Sequence, residues 1–289
     1  MATNLTTRLT FKGHTVEISR DRPVIMIGER INPTGRKEML LALEAGDFEA
    51  VRRDALAQVE AGAAVLDVNA GVPGADEPAL LARVLETTMA AVSAPLAIDT
   101  ANPEALEAAL RLYPGKALVN SVNGEARALE TVLPLVKAHG AAVIGLCIDD
   151  DGIPPTPEAR VKVAEKILNR AGQLGLAAED VVIDPLAMAL AADSRAARVT
   201  LQTIELVVRE FGVNVTLGAS NVSHGLPDRK YINAAFMALA LQAGVTCPIT
   251  NPLIQEVSAA VLATDLCLGR DPDSRRWIKA YRRRQPKKV

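Results

Sequence analysis

Aromatic residues are scarce in this chain: 3% of 289 residues, with one Trp, three Tyr and four Phe. So few flat rings argue against a surface that stacks nucleic-acid bases. An excess of positive charge is also missing. Thirty-two Lys and Arg stand against 34 Asp and Glu, a formal net charge of -2. A nucleic-acid binder normally shows a basic surface, so no such partner is expected. Cysteine is limited to Cys147, Cys247 and Cys267, widely spaced and odd in number. No C-x-x-C pair occurs, so neither a disulfide framework nor a zinc ribbon is indicated. Buried, reduced thiols in a cytoplasmic protein are expected instead. No apolar run is long enough to span a bilayer, and no apolar stretch follows a basic N-terminal region. The chain is therefore expected to have no membrane partner and no signal peptide. A G-x-S-x-G elbow, a P-loop and an H-E-x-x-H motif are all absent. His14, His139 and His224 share no metal-like spacing, and no bound metal is expected.

Apolar material is plentiful, at 49% of the chain, enough for a large core. It comes in short β-branched runs separated by longer segments of helical spacing. Residues Thr6 to Ser19 alternate around Lys12-Gly13 and read as a hairpin, within an N-terminal segment 1–22. Expected strands follow at Val24–Gly28, Ala64–Val68, Leu96–Ile98, Ala117–Val119, Ala142–Ile148, Val181–Ile183, the run from Val215, and Cys247–Thr250. Between them lie expected helices at Phe48–Ala61, Glu77–Ala91, from Asn102-Pro103, Ala126–Ala138, Pro157–Leu174, Arg195–Phe211 and Tyr231–Ala243, with a last one at Leu253–Leu268. Asn102-Pro103 places a cap and then Pro at the opening turn.

Eight short strands alternating with eight helices point to α/β class and a (β/α)8 TIM barrel, with the hairpin closing its bottom. An open doubly wound sheet is the rival, but it would gather polar residues at its switch point. Here polar residues end almost every strand. No linker divides the chain, so 1–289 reads as a single domain. A basic segment, 275–289, reads as a solvated C-terminal tail.

The strand ends carry the chemistry. Asp99, Asn120, Asp184 and Asn221 each end a different strand, and Asp67, Asn69 and Asn123 join them. Carboxylates and amides in a deep pocket must be hydrogen-bonded. Two carboxylates suit an amidine-like edge with parallel N–H donors, and Asn complements a lactam. A pterin ring has both patterns. Duller roles compete at several positions. Asp67 could cap the rim, Asn123-Gly124 could be only a turn, and Asn102 reads as a helix cap. Glu29 is placed like a site residue but could pair with Arg30. Asp149 to Asp151 read as a solvated loop. His224 could shuttle a proton, though one loop histidine is more often a surface residue. The loops after the last two strands lack the Gly-rich pattern of barrel phosphate sites, which argues against a phosphosugar enzyme.

Six segments in order, Gly28-Glu-Arg-Ile-Asn32, Asp67-Val-Asn69, Asp99-Thr100, Asn120-Ser-Val-Asn123, Ile183-Asp-Pro-Leu186 and Gly218-Ala-Ser-Asn-Val-Ser223, resemble the pterin-binding methyltransferases. The likeness extends to methyltetrahydrofolate:corrinoid/iron–sulfur protein methyltransferases and to the folate domain of cobalamin-dependent methionine synthase. It covers Val24 to about Leu268. The resemblance implies a homodimeric TIM barrel that moves a methyl group between N5 of tetrahydrofolate and the cobalt of a corrinoid (cobalamin) carried by a partner protein. Tetrahydrofolate or 5-methyltetrahydrofolate would be the substrate. Asp99, Asn120, Asp184, Gly218, Ser220 and Asn221 would hold the pterin, with Asn221 acting catalytically at N5. Glu29, Asp67, Asn69 and Asn123 would support them. Either direction of transfer fits. Dihydropteroate synthase shares the barrel, but typically carries Ser-Arg-Lys where this chain has Ser220-Asn-Val-Ser. A non-catalytic folate-binding module that docks a corrinoid protein is the other alternative.

Overall fold

The computed structural model describes residues 4–285. Strands β1 (Thr7–Phe11) and β2 (His14–Ile18) form the expected hairpin, pairing from Thr7↔Ile18 to Phe11↔His14. Lys12 and Gly13 both take positive φ, 46° and 76°. That two-residue turn matches the natural twist of a hairpin.

The barrel strands are β3 (Ile27–Ile31), β4 (Val65–Asn69), β5 (Leu96–Asp99), β7 (Leu118–Asn123), β8 (Ala142–Leu146), β9 (Val181–Asp184) and β10 (Ile249–Thr250). A two-residue strand, β6 (Gly115–Lys116), joins the hairpin instead, pairing with β1. The seven barrel strands are parallel, in the order β10-β3-β4-β5-β7-β8-β9. The remaining place in the ring of eight, seventh in chain order, is filled by residues 214–218. Thr216 N donates to Ile183 O at 2.9 Å, and Ile249 N donates to Leu217 O at 3.0 Å. Bridges Ile183↔Val215 and Gly218↔Ile249 thus close the ring. The protein is a (β/α)8 TIM barrel.

Helices α2 (Glu49–Glu60), α3 (Glu77–Ala91), α4 (Pro103–Leu112), α5 (Ala126–Ala138), α6 (Pro157–Gln173), α7 (Ala196–Phe211), α8 (Arg229–Ala243) and α9 (Gln255–Cys267) alternate with the strands. Their starts follow from local chemistry. Asp76, Asn102 and Thr156 each accept a backbone N–H of the first turn, with Pro at the opening. Two helices are additional to the expected set. Helix α1 (Lys37–Glu44) lies between β3 and α2. Helix α10 (Arg275–Arg284) occupies most of the segment expected to be a basic tail. Its anchor is Arg276, which donates to the buried Asp265 at 2.6 Å, while Asp265 also accepts Val24 N at 2.9 Å. The last residues of that segment, 286–289, and the first three of the expected hairpin segment lie outside the described residues.

Period-two alternation sorts the strand side chains into two layers. Leu66, Val68, Ile98, Val119, Val143, Val181 and Ile183 face the helices. Val65, Ala97, Leu118, Ala142, Ile144 and Val182 face the barrel axis, where Leu9 and Ile18 of the hairpin join them. Both hairpin residues are fully buried, so the hairpin fills the N-terminal end of the barrel. Asn214 ties it down from the first residue of the seventh position. Its amide donates to Thr7 Oγ1 and to Ile18 O, each at 2.9 Å.

Some boundaries differ from expectation. The first barrel strand begins at Ile27, not Val24, and runs on through Glu29 and Arg30. A register irregularity between Gly28 and Ile31 lets pairing with β4 continue. Strand β7 likewise continues past Val119 to Asn123. Cys147 and Cys247 are buried as expected, but Cys267 is exposed at the end of α9, where the helix face turns outward. Among the described residues, no helix is long and apolar enough to cross a membrane.

Candidate functional site

The same alternation that buries Val65, Ala97, Leu118 and Val182 along the axis brings polar residues inward one step further up. On β4 the axial positions after Val65 are Asp67 and Asn69. On β5 the position after Ala97 is Asp99. On β7 the position after Leu118 is Asn120, and on β9 the position after Val182 is Asp184. Sheet register aligns them: Asn69 pairs with Asp99, and Asp99 with Asn120. A carboxylate and amide layer thus sits on the apolar plug, at the C-terminal end where barrel enzymes place their chemistry.

Within this layer Asn120 donates to Asp67 Oδ1 at 2.9 Å. Asn69 donates to the Asp99 backbone oxygen at 3.2 Å and accepts Gly71 N at 2.8 Å. Asp184 accepts Leu186 N at 2.7 Å. Burial dominates the electrostatics, because it disfavours the charged form of a carboxyl. Burial, reinforced by the charge of Asp99, raises Asp67 well above the usual carboxylate range, against the pull of the Asn120 hydrogen bond. Burial pushes Asp99 up to about 6 and Asp184 up to about 7. In Asp184, hydrogen bonds from the Leu186 and Gly218 backbones and the charge of Arg160 offset part of the rise. An open cleft of about 470 Å³ runs from Asp99, Asn120 and Asn123 outward along α5.

The seventh position ends at Gly218, and Ala219–Ser223 wind into a single 3₁₀ turn. The turn holds the other side of the mouth. Ser220 Oγ donates to Glu29 Oε1 at 2.9 Å, joining the first barrel strand to the seventh position. Burial raises the Glu29 carboxyl, and the Ser220 hydrogen bond and the charges of Arg30 and Arg229 pull it partly back. Asn221 is exposed. Its Nδ2 lies 3.0 Å from where a Cβ on Gly218 would be, so the amide folds back over the strand end and would have to give way to any larger residue there.

Asp67, Asn69, Asp99, Asn120 and Asp184 therefore share one layer, and Glu29, Gly218, Ser220 and Asn221 form the wall beside it. Asn123 is less committed. Its side chain accepts Glu125 N at 3.0 Å, a turn role, while it lines the outer cleft. Asn102 is a helix cap, accepting Glu104 N at 2.9 Å. Of the two roles open to Glu29, a site position or a pair with Arg30, its hydrogen bond goes to Ser220, while the charge of Arg30 still acts on it.

Sequence reasoning missed the residues that brace these loops. Arg160, buried on α6, donates to Pro185 O at 2.8 Å and Leu186 O at 2.9 Å. Thr200 donates to Leu186 O as well, at 2.9 Å. Together they hold Leu186 at φ 66°, the backbone turn that lets its N–H reach Asp184. Gln58 Oε1 accepts Arg30 N at 2.8 Å and sits 2.5 Å from where a Cβ on Gly28 would be. A buried Arg on an amphipathic helix was the available signal for Arg160, since such a residue needs partners. Nothing local in the sequence marks Gln58 or Thr200.

A closed barrel with buried carboxylates and amides gathered at the C-terminal ends of its strands has the architecture of a small-molecule barrel enzyme. The chain belongs to the pterin-binding enzyme family, whose model matches residues 28–251. It is 34% identical over 266 residues to the methylcorrinoid:tetrahydrofolate methyltransferase of Eubacterium limosum, covering 90% of this chain and 96% of that protein. It is 30% identical over 249 residues to the methionine synthase of Mycobacterium tuberculosis, spanning 21% of that longer protein. Among solved structures, the dihydropteroate synthases of Xanthomonas albilineans (TM-score 0.67, 22% identity, 91% of this chain and 98% of that one) and Yersinia pestis (TM-score 0.66, 17% identity, 91% and 99%) share the fold.

Proposed function

We propose that the protein transfers a methyl group between N5 of tetrahydrofolate and the cobalt of a corrinoid carried by a separate protein. The observation that carries this reading is the inward layer of Asp99, Asn120 and Asp184 beside the Asn221 amide. The two carboxylates accept N–H groups from the amino-pyrimidine edge of a pterin, and Asn120 complements its lactam. Gly218 and Ser220 shape the wall behind it. Glu29, Asp67, Asn69 and Asn123 support the layer. Asn221 reaches the ring from the N5 side and hydrogen-bonds to that nitrogen as the C–N bond forms or breaks. The attacking or leaving cobalt is brought by the substrate corrinoid, so the chain needs no nucleophile of its own.

The relative from Eubacterium limosum, named for transfer from a methylcorrinoid to tetrahydrofolate, supports this reading over a dihydropteroate synthase. So does the 3₁₀ turn, where Asn221 and Val222 stand in place of Arg-Lys. The nearby Arg229 is engaged with the turn itself, donating to Ser223 Oγ at 2.9 Å and Ser220 O at 2.8 Å. Ile153, Met188 and Tyr231 are exposed on loops or first helical turns that follow barrel positions. Exposed apolar side chains on that end suit a docking protein that delivers a bulky corrinoid. A non-catalytic folate-binding module is the reading that binding without turnover would favour. Following the corrinoid spectrum while the protein is mixed with each folate tests the transfer itself. The homodimer implied by the resemblance belongs to the same proposal, and a monomer by sedimentation at micromolar concentration contradicts it.

The raised carboxyls predict the pH dependence of binding. N–H donors of the ligand favour the ionised carboxylate, so binding expels any proton held there. Asp184 is ionised only above about 7 and Asp99 above about 6. Affinity for methyltetrahydrofolate should therefore be flat above pH 7. It should weaken by up to about tenfold per unit between pH 7 and 6, and more steeply below, where both groups must lose a proton. Calorimetric titrations from pH 5.5 to 8.5 check this, and a constant affinity across that range contradicts it.

A further inference from the structure

The 3₁₀ turn at the mouth has three residues per turn, so residues three apart lie one above the other and the turn has three distinct faces. Each face is occupied differently. Ala219 and Val222 are both fully buried and pack into the core. Ser220 and Ser223 face Glu29 and Arg229, through the Ser220–Glu29 bond and the Arg229–Ser223 bond. The third face carries Asn221 and His224. His224 N donates to Asn221 O at 3.1 Å, which continues the 3₁₀ spacing to the histidine. Both side chains are exposed. The face is aimed by Asn221, whose amide folds back over Gly218 and hence over the strand end beside Asp184.

We infer that His224 is the acid–base residue that takes or returns the N5 proton, directly or through one water, during methyl transfer. This rests on the methyl-transfer reading. Tetrahydrofolate carries a hydrogen on N5. When the N5 lone pair takes the methyl group, the cobalt–carbon bond breaks and its electron pair stays on cobalt, leaving Co(I). N5 is then a cation bearing both hydrogen and methyl. The proton must leave to give neutral methyltetrahydrofolate, and in the reverse direction it must return before methyl can depart. Asn221 can hydrogen-bond to N5 but cannot accept that proton, because its amide does not ionise at ordinary pH. The inner carboxylates are otherwise engaged: Asp99 and Asp184 accept the pterin N–H groups in the methyl-transfer reading, Asp67 accepts from Asn120 and Glu29 from Ser220. Imidazole can both accept and donate a proton, and this one follows Asn221 at the 3₁₀ spacing, on the same face of the turn.

The test uses His224→Ala and His224→Gln in the full chain, with single-turnover methyl transfer from methylcobalamin to tetrahydrofolate and the folate dissociation constant measured in parallel. The side chain is exposed, so both variants should fold and bind folate as the wild type does. Transfer should fall by about 10²-fold in each, the usual scale for a lost acid–base group. Added imidazole should restore much of the rate in His224→Ala. A rate within a few-fold of wild type overturns the inference. So does a fall that imidazole fails to reverse, or one matched by an equal loss of folate affinity, since either makes the histidine a structural or binding residue. A wild-type protein that binds folate but moves no methyl group is a failure of the methyl-transfer reading itself, and is seen before any variant is made.

Discussion

Replacing Asn221 with alanine should slow single-turnover methyl transfer by about 10²- to 10³-fold, the cost of removing one donor aimed at developing charge. Folate affinity should fall much less. A tertiary amine is a poor leaving group, and a hydrogen bond to N5 helps most when the C–N bond is partly broken. Such an interaction is worth more in the transition state than in the bound ground state, so its loss appears in kcat and kcat/KM together. The fold should tolerate the change, since Asn221 is exposed and only its backbone takes part in the 3₁₀ turn. A normal single-turnover rate in Asn221→Ala removes the N5 role.

The second large effect is on binding. Asp184→Ala and Asn120→Ala should each weaken methyltetrahydrofolate binding by about 1–3 kcal/mol, because each leaves ligand groups unpaired in a buried site. That range corresponds to roughly five- to 150-fold in the dissociation constant. Asp184 should lie toward the upper end. It also orders the wall, through its bonds from the Leu186 and Gly218 backbones. Asn120→Ala has a separate consequence: it removes the donor to Asp67, leaving a buried carboxyl with less to hold its charge. The two losses need not add, since both residues serve one network. Calorimetry with methyltetrahydrofolate reads both, and unchanged affinity in the pair of variants removes the pterin-site assignment.

Much of the barrel was legible in sequence because its strands are short apolar runs separated by segments of helical spacing, three of them opened by a capping residue and Pro. The expected limits of α3 and α5 coincide with those observed, and Asn102-Pro103 opens α4 as read. The irregular parts were not legible. Helix α10 looked like a solvated tail because its sequence is mostly Arg and Lys, and what orders it is a contact between Arg276 and Asp265 on another helix. The extension of β3 through Arg30 depends on a register irregularity and on Gln58 from α2, neither of which has a local pattern. The polar ends of the strands were visible as residue types. Their meeting in a single layer followed only from the period-two alternation continuing past each apolar run. Pairings such as Ser220 with Glu29, 191 residues apart, are set by barrel closure and leave no trace in sequence spacing.

The central claim is methyl transfer between folate and a corrinoid, and a visible absorbance trace tests it most directly. Purified protein is mixed with methyltetrahydrofolate and cob(I)alamin in one cuvette, and with tetrahydrofolate and methylcobalamin in another. Protein-dependent interconversion of the Co(I) and methyl-Co(III) spectra, slowed about 10²- to 10³-fold in Asn221→Ala, is the predicted result. A wild-type protein that gives no conversion in either cuvette, nor with a corrinoid protein in place of free cobalamin, contradicts the account.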